Sequence, residues 1–260
     1  MDIAYTVSGF TVGFIVGLTG VGGGSLMTPI LVFLFGIKPV IAVGTDLLYA
    51  ALTKGGGIWV HQRQGTIDWK IVGLLAAGSL PTSALMIILL KHFDARGLNY
   101  EHLITSTLGV ALVLTSLVLL LKTQLLALSK NERFAAIRTV HTRLRIPMTI
   151  GAGIVIGALV TLSSVGAGAL GAAILFFLYP RMPAINIVGT DLAHAVPLTA
   201  IAGLGHVHLG TVDFELLGSL LLGSLPGIYL GSHVGFRLPE TVIRPVLASM
   251  LLMIGLRFAF

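Results

Sequence analysis

The sequence repeats itself. Val43-Gly44-Thr45-Asp46-Leu47 returns as Val188-Gly189-Thr190-Asp191-Leu192, 145 positions further on. The same offset carries Gly65-Thr66-Ile67-Asp68 onto Gly210-Thr211-Val212-Asp213, Gly78-Ser79-Leu80-Pro81 onto Gly223-Ser224-Leu225-Pro226, and His61 onto His206. Three blocks holding one register exceed what shared apolar composition produces by chance. A chain built this way folds as two copies of one unit. Any site made by one copy then has a counterpart in the other.

The medium for that unit follows from composition. Hydrophobic residues make up 55% of the chain and charged residues 10%, where soluble domains carry about a quarter charged. Long apolar runs recur from end to end. Only helices and closed barrels satisfy their backbones in lipid. Runs such as 112–121 lack the alternation of a barrel strand. The expected class is an all-α polytopic membrane protein with a single transmembrane domain: repeat 1 over 1–122, a basic linker over 123–146 and repeat 2 over 147–260. The absence of cysteine excludes disulfides, thiolate metal sites and thiol catalysis. The net charge of +6 lies mainly in connections, where it reads as a topology signal rather than a nucleic-acid footprint. No cleavable signal peptide is expected, since Met1-Asp2-Ile3 lacks a basic lead.

Each repeat opens on an apolar stretch broken by small residues. Residues 3–35 are interrupted at Gly20-Val21-Gly22-Gly23-Gly24-Ser25, and 147–179 at Ser163-Ser164-Val165-Gly166-Ala167-Gly168. As one straight helix 3–35 would be roughly 50 Å long against a hydrocarbon core of roughly 30 Å. Two arms meeting at the break fit better. Three further spans follow in each copy, over 39–59, 69–90 and 103–121, then 184–204, 214–233 and 241–260. The segment 122–145 is expected as the longest polar connection. His61, His206 and His208 fall in short connections between spans.

Topology follows from parity. If the broken pair enters and returns, each repeat has odd parity and the second copy is inverted. If the pair crosses as one span, the repeats are parallel. The first reading is preferred. The basic 123–146 linker belongs in the cytoplasm, which puts Arg63, Arg181 and Arg237 inside and both termini outside.

Inverted repeats with broken helices form a recurring plan of secondary transporters, with substrate held near the midplane at half-helix ends. The glycine breaks leave the following helices with free N–H groups and a positive dipole end, which suits an anion. Close helix packing is the other use of such glycines. Ser25, Thr28, Thr161, Ser163 and Ser164 add hydroxyls near the breaks, although Ser and Thr inside helices often bond their own backbone. Asp46, Lys54, Asp191 and His194 lie inside apolar spans, where ionisable groups usually face partners or a water-filled path. Asp191 and His194 share a helical face. They serve either as a proton-handling pair or as fixed polar contacts. Lys54 has Thr199 as its counterpart; it could attract the anion, pair with Asp46 or snorkel to an interface, and pairing with Asp46 is the preferred reading. A metal route through the histidines is a weaker alternative, because no compact ligand motif is present.

The break Gly20-Val21-Gly22-Gly23-Gly24 followed by Pro29, the repeated Gly-Thr-Asp-Leu, and the His…Gly-Thr-hydrophobic-Asp corners together resemble the sulfite exporter TauE/SafE family over nearly the whole chain. The resemblance implies a bacterial inner-membrane exporter of small sulfur-containing oxyanions, such as sulfite or organosulfonates, coupled to protons. By position it implies a path lined by the breaks, with Gly20, Gly22, Gly23 and Gly24 in the first and Gly166 and Gly168 in the second, and by the pairs Thr45-Asp46 and Thr190-Asp191; the hydroxyls of Ser25, Ser163 and Ser164, read from the sequence itself, are expected to join the substrate site. Asp46, Lys54, Asp191 and His194 would couple protons or gate. In two respects the chain departs from the family pattern: many members carry Ser at Asp46, and Lys54 is not general. The second break also has fewer glycines, which implies an asymmetric pocket. No cofactor or resident metal is implied, and the expected partners are the anion, protons and lipid, with no nucleic acid. A homo-oligomer is compatible with the sequence. Rival functions are a passive anion channel, a metal-ion transporter, or a membrane component that binds a partner protein through its basic linker. An intramembrane enzyme is disfavoured because no nucleophile-and-base constellation is present.

Overall fold

The computed structural model describes residues 3–19, 26–130, 135–234 and 240–259. Among these the chain is helical, without a strand. The first repeat comprises α1 (Ile3–Thr19), α2 (Met27–Phe35), α3 (Pro39–Arg63), α4 (Trp69–Ala95) and α5 (Glu101–Lys130). The second comprises α6 (Ala135–Ser163), α7 (Ala169–Leu178), α8 (Ala184–His208), α9 (Phe214–Val234) and α10 (Glu240–Ala259). Among the described residues α4, α5, α6, α8 and α9 each hold a stretch long and apolar enough to cross a membrane. By contrast α2 and α7 have nine and ten residues. At about 1.5 Å per residue they cover roughly half of a 30 Å core.

The duplicated corner block has a local physical meaning. Gly65 and Gly210 adopt left-handed φ angles of 64° and 68°. Thr66 N–H reaches back to the His61 carbonyl at 3.1 Å and Thr211 N–H to that of His206 at 3.0 Å. This closes the ends of α3 and α8 in the way a glycine just past a helix terminus commonly does. Asp68 then starts α4 by accepting the N–H groups of Lys70 and Ile71, and Asp213 starts α9 by accepting that of Leu216 at 2.9 Å. The corners end two helices and begin two others, which explains why Gly, Thr and Asp recur at fixed spacing.

Helices exchange partners between the halves. α1 packs on α9 and α6 on α4, which are equivalent contacts under the repeat. Both are close approaches made by glycine. A Cβ on Gly9 or Gly13 would strike the backbone of Leu220 or Ser224, and one on Gly153 or Gly157 the backbone of Leu75 or Ser79. Contact positions rise together along each pair, so the paired helices run parallel. Lipid provides little hydrophobic drive between helices, and such backbone-to-backbone approach supplies the van der Waals contact instead.

The remaining two pairs run antiparallel. Gly44 of α3 abuts Thr211 just beyond α8, Gly203 meets Leu48, Gly57 meets Leu192, and Gly189 meets His61 and Thr66. α5 and α10 likewise oppose each other, with Gly255 against Gly109 and Val113, and the Ser116 hydroxyl donating to the Ala248 carbonyl at 2.8 Å. Two apolar clusters fill the interior. One gathers α1, α2, α9 and α10, the other α4, α6, α7 and α8, and α3 and α5 contribute to both.

In two places the helices run further than the apolar pattern. The expected polar connection over 122–145 is entered from both sides, because α5 continues to Lys130 and α6 begins at Ala135. His61 lies in the last turn of α3, and His206 and His208 in that of α8, rather than in connections. Charge marks where a chain leaves lipid, but it does not by itself end a helix. Pro81, Pro147, Pro197, Pro226 and Pro245 all sit inside continuous helices, which membranes tolerate.

Candidate functional site

The second break is described in full. α6 ends at Ser163, whose hydroxyl bonds the Leu159 carbonyl at 2.6 Å. The chain then turns through Ser164 at φ 58°, Gly166 at φ 118° and Gly168 at φ 140°. Serine at a left-handed φ is uncommon, and Gly166 and Gly168 hold angles that other residues resist. α7 starts at once, and no side chain caps its first turn. The Thr161 hydroxyl lies 2.7 Å from that of Ser83. Ser83 is close to the middle of α4 (Trp69–Ala95), so the break lies at mid-length of a spanning helix.

The first break is described only from Leu26 onward. Gly20, Gly22, Gly23, Gly24 and Ser25 lie outside the described residues. Leu26, which precedes α2, supplies no side-chain cap, and the Asp46 carboxylate faces the Thr28 N–H in the first turn instead. The Thr28 hydroxyl in its first turn donates to Asp46 Oδ2 at 2.6 Å. In the second repeat a Cβ on Gly171, in the first turn of α7, would land on Asp191 Oδ1. Each repeated Asp therefore meets the start of the half-length helix in its own repeat.

The buried groups at this level are numerous and incompletely satisfied. Asp46, His194 and Ser164 are at most 1% exposed, Asp191 5% and Lys54 6%. Asp191 Oδ1 and His194 Nδ1 have no hydrogen-bond partner, and Asp46 Oδ1 and Ser164 Oγ lack one of good geometry although the two side chains lie within reach of each other. Buried polar atoms are rarely left so, and four at one level mark a place built for something other than packing. Lys54 does not bond Asp46 as expected. It donates to the Ala167 carbonyl in the second break at 2.6 Å, while Asp191 and Asp46 act on its charge through space. His194 Nε2 lies 2.7 Å from Ser79 Oγ on α4, so its hydrogen bond goes to another helix rather than to Asp191.

Two contacts of this site were not legible beforehand. The Ser79–His194 pair has a repeat counterpart in Ser224 and Tyr49, which lie beside each other. The only prior signal was that all four sit in register. Thr45 and Thr190 also act across the halves. Thr45 Oγ1 accepts the Asp213 N–H and Thr190 Oγ1 the Asp68 N–H, both at 3.0 Å. These two hydroxyls tie each corner to the opposite repeat. His206 is buried between Thr211 Oγ1 at 2.8 Å and the Thr161 carbonyl at 3.0 Å. Among the described residues no group of three His, Asp or Glu side chains is placed to hold a metal.

Paired half-length helices, membrane-length neighbours and a polar cluster at mid-depth define a multi-pass membrane transporter. Comparison with known proteins agrees. The family model described as sulfite exporter TauE/SafE matches residues 5–258, and the chain belongs to that family. Among its relatives, the probable membrane transporter protein YjnA of Bacillus subtilis (strain 168) is 40% identical over 99% of each chain. The probable membrane transporter protein YunE of the same organism is 39% identical, over 99% of this chain and 97% of the relative. YdhB, another probable membrane transporter protein of that bacterium, is 29% identical over 94% and 97%. No solved structure matches the chain.

Proposed function

We propose that this transporter exports small sulfur-containing oxyanions, such as sulfite or organosulfonates, across a bacterial inner membrane by alternating access of two inverted repeats. The observation that carries the reading is the pair of half-length helix starts, α2 and α7, whose preceding residues supply no side-chain cap, at repeat-matched positions beside buried polar atoms without partners. Free N–H groups at a helix start attract an anion without a fixed cation. The family's description as sulfite exporters supports the substrate class.

Inversion is supported by the antiparallel pairing of α3 with α8 and of α5 with α10. A single crossing by each broken pair would make those equivalents parallel. With the 123–146 linker in the cytoplasm, both termini lie outside. Asp46, Asp191 and His194 are the groups available to carry protons, and an ionised carboxylate beside each helix start would repel the anion. Proton transfer to those carboxylates thus makes room for substrate.

Proteoliposomes test this. Liposomes loaded with sulfite should accumulate labelled sulfite by counterflow, saturably, and an imposed pH gradient should change the rate. Flux no greater than in empty liposomes, with the protein folded, rejects the reading. Unitary currents would assign a channel instead.

A further inference from the structure

His61 and His206 are the same residue in the two copies, and the corners beside them match as well. Gly65, Thr66 and Asp68 answer to Gly210, Thr211 and Asp213. Each ring places Nδ1 against its corner threonine, at 2.7 Å for His61 and 2.8 Å for His206. Beyond that the two differ. His206 is fully buried, and its Nε2 lies 3.0 Å from the Thr161 carbonyl on α6. A carbonyl only accepts, so Nε2 carries a proton and donates it. That oxygen is open to the ring because the N–H of Val165, four residues on, turns to Ser163 Oγ at the break. His61 is only partly buried, and among the described residues its ring bonds nothing but Thr66.

The residues that make this contact do not explain the difference. The acceptor is a backbone oxygen, which every residue has. Its counterpart is that of Gly17. Gly9 and Gly13 approach Leu220 and Ser224 as Gly153 and Gly157 approach Leu75 and Ser79, and Gly17 and Thr161 each lie one turn further on. The α1–α9 and α6–α4 pairs are therefore alike, and so are the reciprocal bonds of Thr45 and Thr190. What differs is how each helix pair sits against the end of α3 or α8. Matching parts in unequal surroundings are what a single state of alternating access requires, because exchanging the roles of two inverted repeats generates the other state.

We propose that His206 and His61 are alternating gate residues: in this state His206 latches the end of α8 to the Thr161 carbonyl, and in the opposite state His206 lets go while His61 latches the end of α3 to the Gly17 carbonyl. Under the topology above, the end latched here is the outer one. The proposal rests on alternating access between inverted repeats but on no substrate. Its readouts contain no anion, so they can fail while sulfite flux stands, and the reverse.

The chain lacks cysteine, so the test uses full-length protein in liposomes with introduced cysteine pairs and a short bismaleimide. Thr161→Cys with His206→Cys should link. Gly17→Cys with His61→Cys should link too, through the opposite state. With all four cysteines, intact mass should show one bridge per chain and never two. His206→Ala added to the Gly17→Cys, His61→Cys pair should speed its linking about fivefold, the population shift expected when one state loses one hydrogen bond. A histidine that only stabilised the fold would not favour that link. Thr161→Cys with Leu209→Cys, and Gly17→Cys with Gln64→Cys, repeat the test with both histidines in place; Leu209 packs in the cluster that holds Val160 and Leu162. Thr161 pairs that do not link, Gly17 pairs that never link, two bridges in one chain, or a linking rate that His206→Ala leaves unchanged would each overturn the proposal.

Discussion

Thr45 and Thr190 permit a quantitative expectation. Each hydroxyl accepts an N–H from the other repeat's corner at 3.0 Å, and neither side chain has exposed surface. Thr45→Val keeps the shape and removes the acceptor, leaving the Asp213 N–H without its partner. An unsatisfied buried donor costs about 1–3 kcal/mol. Hydrogen bonds between membrane helices average nearer 0.6 kcal/mol, with a maximum of about 1.7. Asp213 is exposed and Asp68 half-buried, so water can recover part of the loss and the lower range decides. Each substitution should therefore cost about 1 kcal/mol, or about 2–4 °C in Tm for a chain of this size. The two bonds lie near opposite ends of α3, roughly 30 Å apart, too far to couple. The double variant should lose the sum to within about 0.5 kcal/mol. Thermal unfolding in detergent, followed by the fluorescence of Trp59 and Trp69, measures this. A Thr190→Val variant that loses nothing while Thr45→Val loses the full amount would refute the reciprocal arrangement. A double variant no worse than either single would refute it equally.

Other consequences of the fold are checked as directly. The chain has no cysteine, so introduced pairs report packing without background. Gly57→Cys with Leu192→Cys should join through a short bismaleimide, and Gly57→Cys with Gly203→Cys should not; the reverse pattern would mean parallel α3 and α8. A Cβ on Gly153 strikes the Leu75 backbone whereas one on Gly151 meets nothing within 4 Å. Gly153→Ala should thus destabilise by about 1–3 kcal/mol, and Gly151→Ala should be neutral or stabilise by up to about 1 kcal/mol. Equal thermal shifts for the two would contradict the close α4–α6 contact. Asp46→Asn keeps an acceptor for Thr28 but removes the charge, and sulfite flux in that variant should lose much of its dependence on pH; an unchanged pH profile would take Asp46 out of the proton path.

Much of the fold was legible because its punctuation is local. Pro39, Trp69, Ala184 and Phe214 begin helices where the apolar pattern placed span starts, and the corner glycines and aspartates terminate and cap as their chemistry requires. The overrun of α5 and α6 into the basic segment was not legible. Ala, Leu, Gln and Lys there are good helix formers, and hydropathy reports depth in the membrane rather than conformation. Partnerships across the halves were equally hidden. Nothing in the spacing of Lys54 names the Ala167 carbonyl, 113 positions away. Nor does the i, i+3 relation of Asp191 and His194 reveal that Ser79 takes the histidine. Register told which residues are equivalent, and only packing told which of them meet.

The central claim is that a small oxyanion sits between the first turns of α2 and α7. The most direct measurement is diffraction at the selenium edge from crystals of the protein soaked in selenite, a heavier relative of sulfite. The account predicts one anomalous peak at mid-depth, against the N-terminal turns of α2 and α7 and within reach of Ser164, and its loss when excess sulfite is present. A peak confined to the protein surface, or one at mid-depth that sulfite leaves unchanged, would contradict it.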